Sequence, residues 1–180
     1  MIKAIVLISL YTLVYSSISC LNAQSIIPWS KTTKLEWSDF KAPPNTDIIG
    51  YAQTSYKIEI QPSDVAVDEN NNIQNYQSLS VVANFYTNHS WVFKKDDYLL
   101  KHEQLHFDIA GLYARKMMIE FDKLKKNKIA DFDSYMSVYK SIWTECRNIQ
   151  KKYDKETNHG LLVEANNSWI EEIASEINKI

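Results

Sequence analysis

The stretch LLKHEQLHFD, at residues 99–108, decides how the rest of the chain is interpreted. It contains two of the four histidines in the sequence, His102 and His106. Residues four apart on an α-helix project about 40° from one another, so both imidazoles face the same side. The spacing therefore predicts a helix that offers two nitrogen ligands to one metal ion.

Glu103 completes a His-Glu-x-x-His pattern, which is typical of zinc hydrolases. In that chemistry zinc lowers the pKa of its bound water to about 7, and the glutamate takes the proton as general base without being a ligand. The alternative is an ordinary amphipathic core helix, with an apolar stripe at Leu105, Ile109, Leu112 and Ile119. A stripe alone does not explain two histidines with a glutamate between them.

A small sheet is predicted before the site helix. Residues 51–61 alternate between apolar and polar side chains, which indicates a half-buried strand, and residues 64–67 could extend the sheet. Residues 79–86 form a second, β-branched run. We therefore expect an antiparallel pair or a three-stranded sheet, preceded by an aromatic-anchored segment at residues 29–40 that lies over the core.

The site helix itself is predicted from about Tyr98 to Leu124, with Asp96 and Asp97 as N-cap and acidic first turn. Two further helices follow it. The second begins at Asp131 or Asp133 and carries a long apolar stripe, and a third follows a break at residues 153–160. The order predicts an α+β fold in which a small antiparallel sheet precedes a zincin-like active-site helix and two more helices.

The N-terminus has the pattern of an export signal. A basic start at residues 1–3 precedes an apolar run at residues 4–15, which is too short to span a bilayer. Cleavage after Ala23 makes residues 1–23 a signal peptide and residues 24–180 a single domain, with no transmembrane segment after cleavage. The alternative is a lipoprotein anchored through Cys20. We expect the protein to be periplasmic or secreted.

The net charge and the cysteine content argue against a nucleic-acid partner and against a disulfide within the mature chain. The net charge is −2 with mixed signs, which argues against a nucleic-acid partner. After cleavage at Ala23, Cys146 is the one cysteine left, and it falls on the apolar stripe of the second helix, where a small core residue is expected. The mature chain therefore depends on its hydrophobic core rather than on a disulfide.

A catalytic zinc ion normally has three protein ligands, so a third ligand is needed. His159 is the first candidate, because it follows a helix long enough to reverse the chain and precedes Gly160, which permits a close backbone approach. Glu145 is the alternative on the second helix, followed by Glu156 and Glu164. The fourth histidine, His89, is expected to be structural or on the surface, with a supporting position behind the metal ligands as the alternative. Tyr153 is expected to be a packed residue at a helix end, with donation to the developing oxyanion as the alternative.

The chain also resembles a bacterial family, the domain of unknown function 922, whose members are described as predicted secreted zinc-dependent proteases. The resemblance rests on LEWSDF at residues 35–40, SW at 90–91, LKHEQLHFDIA at 100–110 running on to YAR at 113–115, YD at 153–154, TNHG at 157–160, and Trp169. It implies a zincin-like catalytic helix, zinc as cofactor and export. It supports His102, Glu103, His106 and His159 as site residues.

Two functions of different class follow. The first is an exported zinc metallopeptidase that acts on a peptide or protein substrate, with His102, His106 and His159 as ligands and Glu103 as base. The second is a non-catalytic exported domain that binds a metal or a partner. An intact Glu103 favours the first, because a structural zinc site needs no general base and usually has four closed ligands.

Overall fold

A computed structural model of the chain describes residues 25–45, 47 and 50–180. The predicted signal peptide at residues 1–23 and the alternative lipid-anchor residue Cys20 lie outside this range. The described elements, in chain order, are β1 (Ile26–Pro28), β2 (Ala52–Gln53), β3 (Tyr56–Gln61), β4 (Ser80–Tyr86), β5 (Trp91–Val92), α1 (Asp97–Lys126), α2 (Phe132–Thr157) and α3 (Val163–Lys179). Short 3-10 turns lie at Trp37–Asp39, Tyr76–Ser78 and Thr87–His89. The predicted α+β class is confirmed.

The main sheet has three antiparallel strands in the order β1-β4-β3. Its central strand, β4, is the run predicted at residues 79–86, and its side chains Ala83 and Phe85 are buried against the helices. The edge strand β1 was not predicted, because three residues are too few to show an alternating pattern. Ile58 of β3 is buried, while Lys57 and Gln61 are exposed, as the alternation indicated.

The prediction of a single strand at residues 51–61 is wrong, because these residues form two strands that belong to different sheets. β2 pairs with β5 in a separate two-stranded sheet, and β3 pairs with β4. At the break, Thr54 Oγ1 donates to the Glu103 carbonyl (3.1 Å), and the Ser55 N–H donates to Ser90 Oγ (2.9 Å). Hydrogen bonds to residues distant in sequence therefore determine where the strand is interrupted. The predicted extension at residues 64–67 forms no strand, although Val67 makes an isolated bridge to Ile73.

α1 is the central element of the fold, and it packs against the main sheet, α2 and α3. Its predicted N-cap is confirmed, because the Asp96 carboxylate accepts hydrogen bonds from the N–H groups of Tyr98 and Leu99. Leu105, Ile109 and Leu112 of the predicted stripe are buried, whereas Ile119 is 40 % exposed and does not belong to the core. The helix thus serves the core and the site from different faces.

The segment at residues 29–40 lies over the core, as predicted, and contacts α1. Leu35 and Phe40 are buried, and the Trp29 ring sits so close to Gly111 that an added Cβ would lie 2.0 Å from a ring carbon. Asp131 is the N-cap of α2, which confirms one of the two predicted caps. α2 continues to Thr157, four residues beyond the predicted break at Tyr153, and Cys146 is buried on it. None of the described helices combines the length and the apolar character needed to cross a bilayer.

Candidate metal centre

α1 brings the two motif histidines together as the helical spacing predicted. The Nε2 atoms of His102 and His106 lie 3.2 Å apart, on a side of the helix that faces α2. His102 is buried, and the His106 side chain is 13 % exposed. The two imidazoles therefore present their nitrogens to one point.

Asp154, on α2, supplies a carboxylate at the same point. Its Oδ1 lies 3.0 Å from His106 Nε2 and 3.3 Å from His102 Nε2. Together these three residues form a group that could hold a metal ion. Two ligand atoms of a tetrahedral zinc ion with bonds of about 2.0–2.1 Å are about 3.3 Å apart, so the donor set fits such an ion.

The ionisable side chains of this group shift one another's pKa values. Burial raises the pKa of Asp154, but the hydrogen bonds from His102 and His106 outweigh it and hold the pKa below its usual range. Burial lowers the pKa of His106, whereas Asp154 and the negative charge of Glu103 raise it, and the net direction is upward. The carboxylate is therefore ionised at neutral pH. Metal binding would compete with protonation of the histidines.

Two amide side chains orient the imidazoles from behind. The Nδ1 atom of His106 is 2.5 Å from Gln150 Oε1, and Gln150 Nε2 donates to the His106 carbonyl (2.8 Å). The Nδ1 atom of His102 is 3.3 Å from Asn166 Oδ1, which also accepts from the Tyr153 hydroxyl. Because both amide oxygens accept hydrogen bonds, they favour a proton on each Nδ1, which leaves Nε2 as the ligand atom when a metal ion is bound.

Replacing Gln150 with leucine should weaken zinc binding about 10–100-fold, the range for groups that orient a metal-binding histidine. Leucine keeps the bulk of the side chain but leaves His106 Nδ1 and the His106 carbonyl without these partners. Zinc affinity is measured by competition with a chromophoric chelator. The matched control is Asn148→Leu, an amide lost from an exposed position of the same helix. Equal affinities for the two variants would show that Gln150 does not position the ring.

Glu103 lies beside this group and lines the same cleft. It is only 3 % exposed, and its Oε2 atom accepts no hydrogen bond from any residue that the structure describes. A buried carboxylate oxygen without a partner carries a free-energy cost, and such cases are concentrated at functional sites. Glu103 is thus placed to accept a proton from a group that enters the cleft.

His159 lies at the rim of the centre rather than inside the three-residue group. Its Nδ1 is 3.6 Å from Asp154 Oδ1, and its side chain is 58 % exposed. Its role as a metal ligand stays a prediction. Of the alternatives, Glu145 is exposed and does not line the cleft, Glu156 accepts a hydrogen bond from the Trp169 indole, and Glu164 is exposed in the first turn of α3.

Tyr153 is not placed as an oxyanion donor. Its ring stacks on the His102 imidazole with centroids 4.5 Å apart, it is fully buried, and its hydroxyl donates to Asn166. The structure gives it a supporting position behind the histidine. His89 is exposed near Tyr86, away from the centre.

Gly160 allows the chain to pass close to His102, as its place in the sequence suggested. It has φ +81°, and a Cβ added there would lie 2.8 Å from His102 Cγ. Gly160→Ala should therefore lower the free energy of unfolding by about 1–3 kcal/mol and displace the imidazole, which weakens zinc binding. Thermal unfolding and zinc affinity measure the two effects.

The control for Gly160→Ala is Asn158→Ala, which also has a positive φ (49°) but an exposed side chain. It introduces alanine into a left-handed backbone without a clash against His102. We expect zinc affinity close to that of the wild type for Asn158→Ala. An equal loss in both variants would show that backbone strain alone, not contact with His102, is responsible.

The centre opens into a cleft of about 620 Å³ between α1, α2 and the β2 region. Residues 50–54 form one wall of it. The Phe93 N–H donates to the Tyr51 carbonyl (2.7 Å), so in this antiparallel register Tyr51 and Gln53 face β5, and the backbone N–H and C=O of Ala52 face the opposite edge. In the part of the chain that the structure describes, no strand pairs with that edge.

The fold and the site together define an α+β protein with a partly buried two-histidine, one-carboxylate group beside a glutamate in an open cleft. Residues 83–160 match the model of a family described as bacterial protein of unknown function (DUF922), which supports the family suspected from the sequence. The matched range contains all of the residues of this group. No curated protein and no solved structure matches the chain.

Proposed function

We propose that the protein is an exported zinc-dependent peptidase. The observation that carries this proposal is the position of Glu103, a buried carboxylate with one unpartnered oxygen beside three convergent metal-ligating side chains. A purely structural metal site has no use for such a group. Two histidines and a carboxylate also hold Fe(II) in oxygenases, but the adjacent glutamate favours hydrolysis.

His102, His106 and Asp154 would hold the zinc ion, and His159 stands close enough to Asp154 to join or replace it. Zinc, when bound, supplies a Lewis acid that lowers the pKa of water and polarises a carbonyl. Asn166 and Gln150 keep the histidines in the tautomer with a free Nε2. Burial within the fold keeps the histidine pair fixed with respect to Glu103.

Glu103 would act as the proton carrier of the reaction. Its carboxylate takes a proton from the attacking water, whose oxygen forms the new bond to the peptide carbonyl carbon. The same proton then passes from Glu103 to the nitrogen of the breaking C–N bond, which leaves as an amine. Glu103 returns to its ionised form, and the reaction consumes one water for each peptide bond.

A peptide is the favoured substrate because of the free edge of β2. An extended chain can add to an unpaired strand edge through backbone hydrogen bonds. Ala52 offers its N–H and C=O on that edge, and residues 50–54 line the cleft that contains the centre. A substrate paired with β2 would therefore pass over the metal group.

Export is supported by the charged and apolar pattern of residues 1–15. Fractionation of cells that express the full chain, followed by determination of the mature N-terminus, tests it. An N-terminus at Gln24 supports cleavage after Ala23, whereas a lipid-modified Cys20 supports the alternative.

Peptidase activity is tested with the zinc-reconstituted wild type and a library of unstructured peptides, with the products identified by mass spectrometry. We expect cleavage that a chelator stops and added zinc restores. A wild type with full zinc occupancy that cuts no peptide would contradict the proposal and would favour the non-catalytic metal-binding domain. Activity that depends on iron and oxygen would point to the oxygenase class instead.

A further inference from the structure

Apolar side chains flank the metal group within the cleft. Tyr51 is 48 % exposed and Leu161 is 61 % exposed, yet both line the cleft, on the β2 side and in the loop between α2 and α3 respectively. Leu99 also lines it, four residues before Glu103 and therefore one turn earlier on the same face of α1. Large exposed hydrophobic groups at a cleft indicate contact with an apolar ligand.

Among the residues that line the cleft, charged side chains are confined to the centre, while Lys94, outside the lining, places its Nζ 5.8 Å from the centroid of the Tyr51 ring. Among the described residues that line the cleft there is no lysine or arginine, and the carboxylates are those of Glu103 and Asp154. A basic or acidic side chain next to the scissile bond would lose water without gaining a partner outside the centre. The lining therefore disfavours charged side chains at these positions of a substrate.

The loop that carries Leu161 is held in place by hydrogen bonds to the end of α2 and to α1. The Leu161 N–H donates to the Asn158 carbonyl (3.2 Å), and the Leu162 N–H donates to the Thr157 carbonyl (2.9 Å) at the end of α2. Tyr98, on α1, donates its hydroxyl to the Val163 carbonyl (2.7 Å). These bonds hold the backbone that carries Leu161 against the end of α2 and the start of α1.

We propose, on the basis of the peptidase function proposed above, that the substrate is a peptide with a large apolar side chain next to the scissile bond. That side chain would contact Leu161, Leu99 and Tyr51. The cleft walls supply selectivity, while the edge of β2 binds the backbone without regard to sequence.

The test uses ten-residue peptides that are uncharged outside the varied positions and differ only in the residues flanking the cut. Leucine or phenylalanine at these positions is compared with asparagine, lysine or glutamate. For zinc-loaded wild type we expect kcat/KM to be at least about 10-fold higher for the leucine and phenylalanine peptides. Leu161→Asn should remove most of this preference. Its zinc content should stay close to that of the wild type.

Leu162→Asn is the matched control. Leu162 is 51 % exposed and adjacent in sequence, but it is not among the residues that line the cleft. We expect this variant to keep the full preference. Equal kcat/KM for the leucine and asparagine peptides, or a preference that survives Leu161→Asn, would overturn this inference and leave the peptidase function intact. If the zinc-loaded wild type cut no peptide at all, both the peptidase function and this inference would be overturned.

Discussion

Replacing Glu103 with glutamine is expected to abolish peptide hydrolysis while the protein keeps its zinc. Glutamine has nearly the same shape but cannot accept the proton from water, and a positioned general base contributes about 10²–10⁴-fold to the rate. Glu103 does not belong to the three-residue group at the centre, so the metal should remain. The measurement is kcat on a cleaved peptide, together with zinc content.

The control for this variant is Glu120→Gln, the same chemical change near the other end of α1, where the carboxylate pairs with Lys123 at the surface. We expect wild-type kcat for it. If Glu103→Gln retained the activity of the wild type, Glu103 would not be the base. If it lost its zinc, Glu103 would have to be reassigned as a ligand.

The second large effect is expected for Asp154→Ala, which should weaken zinc binding by more than about 100-fold. Residues that only orient a metal ligand contribute about 10–100-fold to metal affinity. The Asp154 oxygen instead lies close enough to both imidazole nitrogens for all three atoms to bind one ion. Asp154 is partly exposed on a helix, where alanine is well tolerated. Zinc affinity is measured by chelator competition, and circular dichroism verifies the fold.

Glu145→Ala is the matched control for Asp154→Ala, since it removes an exposed carboxylate from the same helix. It was also the alternative ligand suggested by the sequence. His159→Ala completes the comparison, because it removes the side chain that lies 3.6 Å from Asp154. Zinc affinity that is unchanged in Asp154→Ala but lost in His159→Ala would make the histidine, rather than the aspartate, the third ligand.

The site helix could be predicted almost completely because its information is local. The N-cap at Asp96 and the spacing of His102 and His106 depend only on neighbours within two turns. The same holds for β4, whose apolar, β-branched run is evident without knowledge of its partners. Both elements can therefore be predicted from the residues that form them.

Asp154 was missed because the end of α2 was placed too early. With a break at Tyr153, residue 154 falls in a loop of unknown direction, whereas the helix continues to Thr157. The available signal was the spacing of Cys146, Gln150 and Asp154, which are four residues apart and thus share one face. A buried glutamine on such a face indicates a polar partner across the interface, here His106.

The division of residues 51–61 into two strands could not be derived from the sequence. It depends on hydrogen bonds from Thr54 and Ser55 to residues 35 or more positions away. Such contacts exist only once the fold brings β5 and α1 together. The same break creates the free edge of β2, so the feature that favours a peptide substrate was also the one hidden from the sequence.

The most direct test of the metal centre is the elemental analysis of purified wild type and of His106→Ala after reconstitution with zinc. The arrangement of His102, His106 and Asp154 predicts about one zinc ion per wild-type chain and almost none in His106→Ala. No bound zinc in the reconstituted wild type, or full occupancy in His106→Ala, would contradict a metal centre built on these residues.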